Sequence, residues 1–91
     1  MITKKDILSI DRGYFNVLDH SGFFLTLQSK NTKHYWHLVP QGYPGGEHFV
    51  IYHRHGDSGP YHEHGHAGNL EKVIASIKGH DEFQLTVRKR R

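Results

Sequence analysis

The chain contains no cysteine. That excludes a disulfide framework, a thiolate zinc finger and a cysteine nucleophile. No apolar run approaches the roughly 20 residues that a membrane-spanning helix needs. The opening residues, MITKKDILSI, lack a long apolar stretch and a small-residue cleavage site, which argues against a signal peptide. Charge of one sign is also scarce: 12 basic side chains face 9 acidic ones, a net +3 with histidine neutral. These absences point to a soluble, cytoplasmic protein with a single domain over residues 1–91. A chain of this length buries only about 60–65% of its unfolded surface, so its core is small. Extended disorder is excluded as well, because Trp36, five tyrosines and five phenylalanines are more than such a segment carries.

Histidine is what the chain has in excess, at ten of 91 residues. They are scattered and interleaved with strand-forming residues, unlike a purification tag. Metal binding is the first explanation for that density.

The pattern predicts an α+β fold: an antiparallel sheet of five or six strands, one helix packed on one face, and a short N-terminal helix. Thr3 caps the short helix over Lys4–Ser9, with Asp6 near its positive end. Strands are predicted at Tyr14–Leu18 and Phe23–Leu27, joined by a turn at Asp19–Gly22. Phe23, Leu25 and Leu27 would share the core face. A third strand covers Tyr35–Val39. Pro40–Gly46 is rich in proline and glycine and is predicted to be a loop. His48–His55 and Pro60–His64 form a hairpin about the turn Gly56–Gly59. Leu70, Val73, Ile74 and Ile77 make one apolar stripe of a helix over about 69–78. Gly79 would end that helix. Phe83, Leu85 and Val87 alternate with polar residues and predict a closing strand.

Two histidine spacings carry the chemistry: His53-Arg54-His55 and His62-Glu63-His64-Gly65-His66. In a strand, residues two apart point to one face. A four-residue turn sets His53 across from His62, and cross-strand neighbours hold their β-carbons about 4.5–5.5 Å apart. His53, His55, His62 and His64 would then form one patch, with His66 in reserve. Neutral imidazoles suit zinc or another transition metal. A one-residue slip in register would break the patch. The bland alternative is half-exposed sheet histidines packed beside Tyr52 and Tyr61. Glu63 should face away from its neighbours. His34 and His37 fall on opposite faces of a strand and imply no shared site. His80, just past Gly79, is explained by the favourable field at a helix end.

Enzyme motifs are thin. His62-Glu63-His64 is not the HExxH of helical zinc proteases. The relaxase-type pair needs a hydrophobic residue between its histidines, where this chain has Arg54 and Glu63. Gly56-Asp57-Ser58-Gly59 is a turn before it is a hydrolase segment. A hairpin followed by a helix is the outline of the ββα metal nucleases, in which a histidine is general base and a metal steadies the phosphate. No residue-by-residue match to them is present.

Partner-binding candidates are Tyr43 on its loop, Trp36, and the basic tail Arg88, Lys89, Arg90 and Arg91, which is expected to fray. Tyrosine and tryptophan anchor interfaces. Basic tails draw phosphates with strong salt dependence. Exposed Tyr14, Tyr35, Trp36 or Tyr43 could stack on unpaired bases.

In small size, absent cysteine, thin core and lack of a catalytic motif, the chain resembles small proteins carried by phages and other mobile elements, among them anti-CRISPR inhibitors. That resemblance implies a non-enzymatic protein that occupies a surface of a nuclease effector. It transfers no residue. The sequence thus predicts a metal-stabilised binding protein that engages a nucleic-acid-handling complex, with inhibition the mode that the resemblance implies. Direct nucleic-acid binding is the alternative, and a metal nuclease the third reading.

Overall fold

A computed structural model describes residues 1–43, 46–56 and 58–89. Two helices and five strands follow one another as α1 (Lys4–Leu8), β1 (Phe15–His20), β2 (Leu25–Ser29), β3 (Tyr35–Tyr43), β4 (Gly46–Arg54), β5 (His62–Ala67) and α2 (Leu70–Lys89). The strands form one antiparallel meander, in the order β1-β2-β3-β4-β5. The α+β arrangement expected from the sequence is therefore present. Among the described residues no helix is long and apolar enough to cross a membrane.

Local chemistry sets the ends of the elements. Thr3 and Asp6 form a reciprocal capping box at the start of α1. The Asn69 side chain accepts from the Lys72 amide at 2.8 Å and so opens α2. One sheet face is covered by α2, and the core lies between them. It is built from Phe15, Leu25, Leu27, Trp36, Leu38 and Ile51, closed by Val73 and Ile77 of the helix. Leu70 and Ile74 pack partly buried against it, as the apolar stripe requires.

Four expectations are corrected. Phe23 is 73% exposed and precedes β2. It sits in a turn where the Ser21 amide donates to the Phe24 carbonyl and the Ser21 hydroxyl accepts from the Phe23 amide, so strand alternation does not yet apply. Pro40 is not in a loop; it pairs with Phe49 within β3. Pairing of β2 with β3 stops at Leu38, so past that point β3 has a partner on one side only, where proline is tolerated. Residues 44 and 45 of the expected loop lie outside the described residues, as does the Tyr43 side chain.

The helix does not end at Gly79, and no strand follows it: α2 runs on to Lys89. Among the described glycines only Gly59 has positive φ, so Gly79 stays helical at a cost of about 1 kcal/mol relative to alanine. Val73, Ile77 and Asp81 recur four apart and are all fully buried. The third of these is a carboxylate, which hid the helical period. Asp81 accepts from the Tyr14 hydroxyl at 2.7 Å and from the Thr32 hydroxyl at 2.9 Å. Leu85 is half-buried and Phe83 is exposed, so neither continues the core. The expected tail joins the helix through Lys89. Residues 90 and 91, and the side chains of Arg88 and Lys89, lie outside the described residues.

Candidate metal centre

Strand parity puts His34, Trp36 and Leu38 on the covered face of the sheet. The β3–β4 register sets Trp36 opposite His53 and Leu38 opposite Ile51. The β2–β3 turn, with Lys33 at φ 65°, delivers His34 to the same face. The β4–β5 register sets His53 opposite His62, as a four-residue turn requires. The ladder stops at that pair, so His55 stands free of it at the mouth of the turn.

A bulge decides the rest of β5. Glu63 pairs with Tyr52 and Gly65 with Ile51, and the extra residue between them is His64. Parity therefore shifts by one after His64. His64 stays on the covered face, with its ring 5.2 Å from Trp36. His66 goes to the other face, opposite Val50, and stacks on His48 at 5.3 Å and 4°. The structure thus separates His66 from the group it was expected to supplement. Glu63 also faces away, 3.7 Å from His66. Tyr52 and Tyr61 lie on that uncovered face beside His37, not beside the paired histidines.

His53 is the centre of the cluster. Its ring is 2% exposed and stacks on Trp36 at 4.2 Å. Five other imidazoles surround it: His34, His55, His62, His64 and His80, with centroids 4.6–5.8 Å away. Its Nε2 is hydrogen-bonded to His34 Nδ1 at 3.0 Å. His80 reaches the cluster because α2 does not stop at Gly79; three residues past the buried Ile77 it shares the helix face toward the sheet, with Nδ1 buried and without a hydrogen-bond partner. Asp81 stands 3.8 Å from that nitrogen, beyond hydrogen-bond reach.

Two triads have ligand atoms mutually within 4.8 Å: His34, His53 and His80, which are buried or half-buried, and His53, His55 and His62, of which the last two are exposed. These groups can hold a metal ion. Tetrahedral zinc with zinc–nitrogen bonds of about 2.0–2.1 Å needs nitrogens about 3.3 Å apart, close to the His34–His53 spacing. Imidazole must be neutral to coordinate. Burial and the neighbouring charges of His80, His34, His55 and His64 push the His53 pKa down to about 3. Loss of water, then His80 and His62, also lower that of His64. His53 and His64 are therefore held in the neutral form that can coordinate a cation at neutral pH.

The sequence missed His34 and His80. Parity with Trp36 could have found His34, since both fall on the strand face that meets His53. No local signal gave His80, because it depends on the continuation of α2. Trp36, expected as an exposed interface residue, is fully buried, and its indole donates to the Ser29 hydroxyl at 3.0 Å. The outline of a hairpin followed by a helix is present. Among the described residues, though, Asp81, the carboxylate 3.8 Å from His80 Nδ1, is held by Tyr14 and Thr32. Compared with protein-family models, curated proteins and solved structures, the chain matches none.

Proposed function

We propose that this chain is a transition-metal-binding protein, with zinc the first candidate, whose ion is held by His34, His53 and His80. The observation that carries this is the convergence of those three imidazoles beneath α2, within 4.8 Å of one another. An ion there ties the β2–β3 turn, β4 and α2 together, so its binding energy adds to a small core. Zinc suits nitrogen donors and tetrahedral geometry; copper and nickel share the preference for imidazole. Such a metal-stabilised domain fits a binding protein, and a nucleic-acid-handling partner is the one suggested by the general resemblance noted above.

The single tryptophan supplies the assay, because Trp36 stacks on His53. Nickel or copper added to tag-free protein should quench its fluorescence, and zinc should raise the melting temperature. An ion present at about 100 times its dissociation constant stabilises by about 2.7 kcal/mol. His53→Ala should abolish both effects, and His66→Ala should change neither. Less than about 0.1 metal per chain after zinc loading at neutral pH would refute the site.

A second reading has its own observation. On the uncovered face the Arg54 guanidinium lies 4.8 Å over Tyr35 and 4.6 Å over Tyr61. Stacked guanidinium and aromatic planes suit the faces of unpaired bases. Binding of a labelled oligothymidylate that weakens with salt and with Arg54→Ala would support it; no binding at low salt would remove it.

A further inference from the structure

The two triads are not independent, because both use His53. An ion in either triad is held by the same imidazole ring, so the two positions are linked through His53. The triads differ in access. His55 and His62 are exposed, whereas His53 and His34 are 2% and 3% exposed. The inner triad is roofed by α2 and floored by Trp36, whose ring is 5.1 Å from His80 and 4.2 Å from His53. The outer and inner members are contiguous, with the rings of His34 and His55 4.6 Å apart.

Resting on the metal-binding reading above, we propose that the triads are successive stations for one ion. His53, His55 and His62 capture a divalent transition-metal ion from water. The ion then moves inward by ligand exchange while His53 remains within reach. The His55 and His62 nitrogens leave as those of His34 and His80 bind, water returns to the vacated imidazoles, and the ion keeps its charge. The hydrogen now shared between His53 and His34 moves to the far nitrogen of the ring that carries it, which neutral imidazole permits. The surface pair thus sets the rate of loading and the buried pair sets its strength.

The test is stopped-flow Trp36 fluorescence with nickel ion, paired with affinity from competition against a chromophoric chelator. The double variant His55→Ala/His62→Ala changes exposed side chains only. It should load about tenfold more slowly or worse, with a final affinity within about threefold of wild type. His34→Ala and His80→Ala should keep the fast first phase and lose about tenfold or more in affinity. The proposal is overturned if the double variant loads at the wild-type rate, or if it loses as much affinity as the inner variants. Failure of the wild-type protein to bind any ion is a different result: it would sink the metal reading itself.

Discussion

Trp36→Ala is expected to cost about 3–5 kcal/mol of folding stability. The indole is fully buried between Leu27, its register partner on β2, and His53, its partner on β4. Removing it opens a cavity under α2 and leaves the buried Ser29 hydroxyl without its donor. Against a total of about 5–15 kcal/mol for an ordinary domain, and with a core this small, the variant should populate unfolded chain at room temperature. Trp36→Phe keeps most of the ring and loses the hydrogen bond, so it should cost about 1–2 kcal/mol. Urea denaturation followed by far-ultraviolet circular dichroism measures both, since the alanine variant has no tryptophan to report. A loss under about 1 kcal/mol for alanine would show that the indole is not packed as described.

Acid should be equally damaging to the metal-free protein. In the unfolded chain His53 takes a proton near its ordinary value of 6.5; in the folded protein it resists down to about 3. Between those values the unfolded state binds the extra proton. Stability is therefore whole above pH 6.5 and declines as pH falls toward 3, by up to about 1.4 kcal/mol per pH unit from this one group. His64 and His37, both also held below their ordinary range chiefly by burial, act in the same direction. Denaturant midpoints measured from pH 7.5 to pH 4 with chelator present should fall steadily. In His53→Gln, which cannot titrate, the slope should flatten. An unchanged slope in that variant would assign the acid sensitivity to other groups.

The legible parts of this fold are those where one physical rule acts alone. The Thr3–Asp6 cap, the stripe Leu70–Val73–Ile74–Ile77 and the pairing of His53 with His62 each follow from spacing within a few residues. The parts that were not legible are those where a distant partner overrides a local preference. Gly79 signals a helix end, but Asp81 two residues later is anchored by Tyr14 and Thr32, both distant along the chain, and the helix continues to meet them. The false strand at Phe83–Val87 came from the same source, since alternation over five residues cannot outweigh a buried carboxylate that extends the helical period in polar form. For the candidate site, parity gave His53, His62 and His64. The bulge that removes His66 does leave a mark in Gly65, since a glycine inside a strand often signals a bulge, but the strand expected over Pro60–His64 stopped one residue short of it.

That bulge gives β5 an unusual response to changes in length. A substitution can delete one imidazole from beneath the helix, but it cannot exchange one for another. Removing Gly65 would let His64 pair with Ile51 and restore simple two-residue alternation from His62 to Ala67, with His66 still opposite Val50 on the outer face. Inserting a residue between Gly65 and His66 would place the newcomer opposite Val50, carry His66 to the covered face and send Ala67 to the outer one. Over evolutionary time the bulge would thus absorb loss of a single codon, whereas gain of one beyond it would act as a gear change, re-dealing several side chains at once where point mutation moves only one.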